Sequence, residues 1–579
     1  MSLRSRRARV GVALTALAAL LAGCGLPLPE GVQTPGQVPD QQPRARDISV
    51  LPPGPAADAT EQEVVEGFLR AQSSASEDRA VARSFLAPGV AWAAERNGVR
   101  VYDGSQPPDV EPGPGGVVRV VSRQVARVGQ DGAYAQMGGD IVDEYQVACP
   151  DGRCRIAALP GGYGLRLSAA DLQLAYAPRS VHFLAPLPPG AGARPSLAAD
   201  LVWLPRGPGL AGRLVQALVD GPSSALGDSV TTAVPAGTSV REVRAQADGT
   251  VTVDLSEQAA ALPEEARKHL SAQLVWTLRA LDNGFTRLRL LAGGRVLAVD
   301  GSTRPQSAGA YQEYDPGWLR PRLGVLHLAG RRLASLDDDL APSSATAGTL
   351  PVDEAAASPD GPLALLTERG DGRVELRTGP RAGPFGQVRL QGRLSSPSWG
   401  DGQQGLWLVQ DGEVVVLAAD GERVVVPVPG LDRPGALVAL RLSPDGVRAA
   451  LLVGTPRDRD LFVGRLVRDA GVLQILGLRE LVPRLDGLTD VAWESGTSLV
   501  LLASFSGLGP GPGRVAVDGS SAALLEARMP LEVVPVSLAA APGRPVVLAG
   551  ERDGKSYLFR EEGAVFRQEG AGHAPFYPG

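Results

Sequence analysis

The sequence is poor in the side chains that enzymes use most. Four histidines occur in 579 residues: His182, His269, His327 and His573. They lie far apart along the chain, and none falls in an HExxH or other paired-histidine spacing, so no zinc site is indicated. No GxSxG elbow is present to expose a serine nucleophile. There are three cysteines, too few to suggest a soft-ligand metal cluster. Lysine occurs only as Lys268 and Lys555, and 63 acidic residues outnumber 57 basic ones, for a formal charge of −6. Nucleic-acid binding asks for a basic patch that such a balance does not offer. Aromatic residues make up 4%, while glycine (72) and proline (49) are abundant. This composition suits many turns and short strands better than a large helical bundle.

What is present begins with an export leader. Arg4, Arg6, Arg7 and Arg9 precede the uncharged, mostly apolar run Val10–Leu21, and small residues then precede Cys24. A basic n-region, a short apolar h-region and a small-residue cleavage site mark a secretory signal over residues 1–23. The run is too short for a mature membrane helix, which needs about 20 apolar residues. The stretch Leu21-Ala22-Gly23-Cys24 resembles the lipobox of bacterial lipoproteins, in which the cysteine is lipidated and becomes the new N-terminus. The rival is a plain leader with an incidental cysteine. Losing the four leader arginines takes the formal charge from −6 to −10. Residues 24–58 follow as a tether, with eight prolines between Gly25 and Asp58. In polyproline II form it could reach roughly 100 Å, at about 3.1 Å per residue; a strand is disfavoured at that proline density.

Cys149 and Cys154 are an even pair in an exported chain and bracket the turn sequence Pro150-Asp151-Gly152-Arg153. A disulfide across a hairpin is the expectation. The alternative, a metal site, needs further soft ligands nearby.

A chain of this length predicts roughly three to four domains. Residues 59–185 read as a small α+β domain. Thr60-Glu61-Gln62-Glu63 is a capping box, and Val64, Val65, Phe68 and Leu69 form one helical face. Asp78 is expected to open a second short helix with Val81 and Phe85 inward, ending at Pro88. Strand-like pieces follow at 99–102, 117–121, 133–137, 141–149 and 155–159. The opening helices with Trp92 and Tyr102 resemble a cystatin- or NTF2-type cone. Residues 195–305 read as an α/β sandwich with helices on one side of a mixed sheet. One helix ends at Gly221-Pro222, an alternating strand runs Val251–Leu255, and a longer helix starts at Pro263. Its predicted buried face is Ala266, Leu270, Leu274, Leu278 and Leu281.

From residue 311 to 579 the helical signal vanishes and a loose repeat takes over. In each copy a strand of small residues meets a tight turn and then a strongly apolar strand. The turn glycines are Gly361, Gly402, Gly446, Gly496 and Gly543, at steps of 41, 44, 50 and 47. Periods of about 40–50 residues mark propeller blades of four strands. Five copies are visible, and Gly324–Leu336 is expected to complete a sixth, ring-closing blade. The rival architecture is a β-sandwich. The fold class is thus multidomain: α+β, then α/β, then an all-β propeller of five to six blades.

Arranged this way, the chain resembles the LpqB family of lipoproteins from high-GC Gram-positive bacteria. The middle domain is similar to the GerMN domain of spore-germination proteins through Leu218-Val219-Asp220-Gly221-Pro222, Val234-Pro235-Ala236-Gly237-Thr238 and Val251–Ser256. The resemblance implies a protein lipidated at Cys24 and held on the outer face of the cell membrane. It also implies binding to the extracytoplasmic part of a two-component sensor histidine kinase, with effects on signalling and envelope homeostasis. Two alternatives stand beside it: a binder of cell-wall glycan such as peptidoglycan, and an extracytoplasmic hydrolase built on the propeller. Converging carboxylates in a deep propeller mouth would favour the hydrolase. The residues themselves nominate no catalytic group, no metal and no cofactor. Gly507-Leu508-Gly509-Pro510-Gly511 lacks the lysine of a phosphate loop and reads as a blade loop. Asp337-Asp338-Asp339 lacks EF-hand spacing and reads as a solvated loop.

Overall fold

The capping box at Thr60 forms as its residue types dictate. The Thr60 side chain accepts the amide of Glu63, and the Glu63 carboxylate accepts the amide of Thr60, opening the helix Glu61–Ala71. A computed structural model describes residues 53–578 apart from 75–78, 187–194, 283, 316–323, 338–349, 359–360, 370–372, 382, 401–404, 419–420, 432–436, 456–457, 470–471, 482–484 and 506–508. From Leu51 onward the chain forms one unit. No helix among the described residues is long and apolar enough to cross a membrane.

The first helix lays Val64, Val65 and Phe68, all fully buried, on a sheet ordered Arg155–Ala158, Asp140–Ala148, Val117–Val128, Val99–Tyr102 and Leu165–Ser168. The pairings are antiparallel except the last, in which Val99–Tyr102 runs parallel to Leu165–Ser168. The second helix is one turn only, Ala80–Arg83, entered through Arg79 at φ 57°. Asp78, expected to open it, lies outside the described residues. Phe85 is buried while Val81 is only partly so.

The middle domain pairs Val240–Ala245 with Thr250–Leu255, which runs parallel to Arg287–Ala292. The helices Leu210–Asp220 and Glu264–Leu278 share one core with this sheet. A hairpin of Tyr176–Leu184 and Leu197–Pro205 covers their other side. The longer helix is therefore buried beyond the predicted stripe. Ser271, Gln273 and Thr277 are fully buried with Leu270, Leu274 and Leu278, whereas Ala266 and Leu281 are only partly covered. The hairpin explains the polar burial: Thr277 Oγ1 accepts the His182 amide, and Gln273 donates to the His182 carbonyl while accepting the Ala233 amide.

The repeat resolves into five four-stranded antiparallel sheets. Their first strands are Glu354–Ala357, Leu394–Trp399, Leu437–Leu442, Asp486–Ser495 and Val534–Ala539. A sixth sheet joins Leu326–Ala329 to Arg332–Ser335 and, from the far end of the chain, to His573–Phe576. Its position matches the predicted closing blade, although one strand comes from residues not assigned to it. The hydrophobic cores show that the sheets form a ring. Leu366 and Leu408 join blades one and two, Val409 and Leu440 join two and three, and Leu452 and Leu501 join three and four. Leu502 and Leu548 join four and five, Val325 and Val547 join five to the closing sheet, and Leu328 and Leu363 return to blade one. Each sheet buries both faces only through its neighbours, which is why ring closure stabilises the whole. Gly509–Ala516 is a strand of blade four, so the glycine-rich stretch expected as a loop belongs to a sheet from Gly509 onward. Its glycines pair through the backbone, and strand pairing needs no side chain.

Candidate functional site

The first strand of each blade is an edge strand facing the propeller axis. Edge strands present unpaired amides and carbonyls, and such groups must find partners when water is limited. Here they find them on the next blade. The Ser396 amide donates to Glu354 Oε2 at 2.6 Å, the Leu440 amide to Ser396 Oγ at 2.9 Å, and the Leu538 amide to Asp490 Oδ2 at 2.9 Å. Indole groups add to the stitching, with Trp493 Nε1 donating to the Arg441 carbonyl at 2.9 Å and Trp399 Nε1 to the Ala356 carbonyl at 3.3 Å.

These residues surround an axial cavity of about 270 Å³. Glu354, Ser396, Arg441, Asp490 and Ser537 line it from blades one to five, with Phe576 and Tyr577 from the C-terminal segment. Arg441 Nη1 donates to Ser396 Oγ at 2.5 Å, and its Nη2 lies 3.8 Å from Asp490 Oδ1. Ser396 adopts φ 52° where the strand register shifts between Ser395 and Ser398. A left-handed serine in a bulge costs energy but re-aims the side chain, and here it turns Oγ toward Arg441 and the blade-three strand. Glu354 keeps access to channel water, yet protein atoms surround it. Burial pushes its carboxyl above the usual range against the Ser396 amide and Arg441. Burial does the same to Asp490, against Arg441 and the Leu538 and Val491 amides.

Sequence analysis nominated none of these lining residues, but a signal was available. Glu354, Ser396, Arg441, Asp490 and Ser537 each stand five to seven positions before a turn glycine of the repeat, in strands otherwise small or apolar except that of blade four, which also carries Asp486, Thr489 and Glu494.

The nominated residues lie elsewhere. Cys24 is outside the described residues. Cys149 and Cys154 are bonded to one another across the Pro150–Gly152 turn of the first domain. His182 packs against Trp276 and His269 against Tyr314. His327 and His573, distant in sequence, come together on the closing sheet; burial lowers the pKa of His327, and the charge of His573 holds it down further. Among the described residues no three His, Cys, Asp or Glu side chains converge as a metal site would require. Asp337 is not simply solvated: it accepts from the Val325 amide and pairs with Arg560 at 2.7 Å, pinning the closing sheet to blade five. Asp338 and Asp339 lie outside the described residues. Three carboxyl-bearing residues, Asp353, Glu354 and Asp490, do line the propeller mouth, but each already accepts a backbone amide, from Glu368, Ser396 and Leu538 respectively.

Comparison with known proteins fits the three parts. Residues 54–172 match the family described as "Lipoprotein LpqB, N-terminal domain", and residues 189–298 match "Sporulation and spore germination". Residues 332–578 match "Lipoprotein LpqB beta-propeller domain". A Lipoprotein LpqB from Cutibacterium acnes is 28% identical, covering 98% of this chain and 97% of its own length. Those of Thermobifida fusca and Streptomyces coelicolor are 27% and 28% identical, each aligned over 100% of this chain and over 100% and 98% of their own. The three domains, their order and these full-length relatives together establish that the chain belongs to the LpqB family of lipoproteins.

Proposed function

We propose that the chain is an extracytoplasmic lipoprotein, anchored through Cys24 to the outer face of the cell membrane, that binds the extracytoplasmic part of a two-component sensor kinase and modulates its signalling. The observation that carries this reading is Leu21-Ala22-Gly23-Cys24 at the end of an export leader, in a chain similar along its whole length to proteins named Lipoprotein LpqB. The kinase enters through the family resemblance. An anchored protein searches a thin layer beside the membrane, so its effective concentration toward a membrane-bound ectodomain is high and a weak contact suffices. The tether supplies reach, and the propeller supplies loops that vary without disturbing the blades. A non-catalytic role is supported by Glu354 and Asp490, whose positions are accounted for by the amides they hold.

Two measurements test the proposal. Cys24→Ala is expected to move the protein out of the membrane fraction and to change kinase output, while residues 59–579 bind the kinase ectodomain in a pull-down. Retention of membrane association, or peptidoglycan captured in place of the ectodomain, would count against it; turnover of a glycan would replace it with the hydrolase. Export also predicts an oxidised Cys149–Cys154 pair. Mass spectrometry of the non-reduced protein should find that bridge, and two free thiols would speak against the compartment.

A further inference from the structure

We infer that the axial channel of the propeller is a binding site for an organic cation: an ammonium or guanidinium group carried on an apolar stem. Three carboxyl-bearing residues line the channel, Asp353, Glu354 and Asp490, against one guanidinium, Arg441. Asp353 is already paired with Arg331. Arg441 lies beside Asp490, on the adjacent blade, and its position is fixed by Ser396. Glu354 stands on blade one, across the ring of six sheets from Asp490 on blade four. It uses Oε2 for the Ser396 amide, which leaves acceptor capacity on a carboxylate with about four lone-pair sites. Among the lining residues themselves, Glu354 is thus the carboxyl that Arg441 does not balance, although Arg393 acts on Glu354 and Arg459 on Asp490 from outside the lining. A charge enclosed by protein is costly unless it is paired, and low-dielectric walls around a narrow wet passage concentrate its field on whatever enters.

The rest of the lining describes the ligand. Ala355, Ala356, Ala492 and Leu538 offer a small apolar wall, and the rings of Trp493 and Phe576 stand beside it. Such surfaces suit an alkyl stem and the face of a cation. A volume of about 270 Å³ sits at the lower edge of small-molecule pockets, which run from about 300 Å³ upward. It takes one head group and its stem. A metal ion is poorly served, because among the described residues no three His, Cys, Asp or Glu side chains gather to hold one.

The test is a calorimetric titration of the detergent-solubilised full chain. The probes are butylguanidinium, a blocked arginine-containing tripeptide, and butanol as the uncharged match. Both cations are expected to bind at about 1 mM or tighter; the tighter of the two tells whether the natural source is a free small-molecule cation or a side chain on a polypeptide. Glu354→Gln, which keeps an acceptor for the Ser396 amide, is expected to weaken binding about tenfold or more, equivalent to ~1.4 kcal/mol. Arg441→Met removes the competing cation and is expected to tighten binding, an outcome that a damaged fold would not produce. Glu413→Gln, on an exposed strand start, should change nothing. The site is overturned if neither cation binds up to about 10 mM, if butanol binds equally well, or if Glu354→Gln leaves the affinity unchanged.

Discussion

Asp143→Ala is expected to destabilise the first domain by about 3–5 kcal/mol, far more than loss of a surface acid. Asp143 is 3% exposed and lies between two guanidinium groups, 2.8 Å from Arg166 Nη1 and 2.8 Å from Arg100 Nη2. The two arginines are not equivalent. The Arg100 side chain is 32% exposed and can turn to water, whereas that of Arg166 is fully buried. Without Asp143, Arg166 would keep only Ser122 Oγ at 2.7 Å and the carbonyls of Val120 and Ile141, none of which cancels its charge. The Arg166 amide also donates to Gln72 Oε1, and Gln72 in turn holds the Tyr163 hydroxyl. Displacing Arg166 would thus loosen the helix that carries Phe68. Arg100→Ala should cost less than about 1 kcal/mol, as a half-solvated ion pair does. Replacing both buried partners, Asp143→Leu with Arg166→Met, should recover much of the loss, since apolar isosteres of a buried pair are often tolerated. Urea unfolding of the full chain reads all three variants. A loss below about 1 kcal/mol for Asp143→Ala would mean that water reaches Arg166.

What the sequence made legible was set by short-range chemistry. The Thr60–Glu63 box produced its helix because both partners lie within one turn. Four of the repeat glycines located blade hairpins because a tight turn is a local requirement; Gly402 lies outside the described residues, and all five first strands fall just before the repeat glycines. A similar local signal was overlooked at Ser168, whose hydroxyl caps the helix Ala169–Ala175 through the Asp171 amide; only Leu172 and Ala175 of that helix are buried, too few for a periodic pattern. Where burial depends on distant partners, the pattern misled. Gln273 and Thr277 read as the polar side of a helix, yet they are fully buried because a hairpin some ninety residues away supplies their hydrogen bonds. The channel residues carried a positional signal in the repeat, but their partners did not: Glu354 meets Ser396, and Asp490 meets Leu538, only when neighbouring blades stack.

The contact with the widest reach is equally invisible in sequence, and Trp203→Ala is expected to break it. The strand Leu197–Pro205 serves three cores at once. Side chains alternate along a strand; Ala198 and Val202 enter the middle-domain core, while Leu201 packs against the core between blades three and four. Trp203 belongs to the first domain's core, stacks on Tyr134 at 5.4 Å, and donates through Nε1 to Asp518 of blade four at 3.0 Å. Nearby seams are polar and backbone-directed: Arg448 to the Ala199 carbonyl, Arg465 to Ser224, Arg479 to Tyr134, and Gln136 to Gly519. Truncating a buried tryptophan costs about 3–5 kcal/mol, and here the cost falls at the junction of the domains. Interfaces between domains leave them free to move unless apolar burial locks them, and Trp203 with Leu201 supplies that lock. In scanning calorimetry the native chain should melt with its propeller and preceding domains coupled, and Trp203→Ala should separate them into two transitions. Trp203→Phe keeps the stacking and loses only the hydrogen bond to Asp518, so a smaller loss of about 1–3 kcal/mol and an undivided transition are expected. If Trp203→Ala melts undivided at the native midpoint, the polar seams with Leu201 and Val447 hold the domains together without it. If it divides, this strand is what couples the propeller to the preceding domains, and any partner gripping the propeller pulls on the first domain as well.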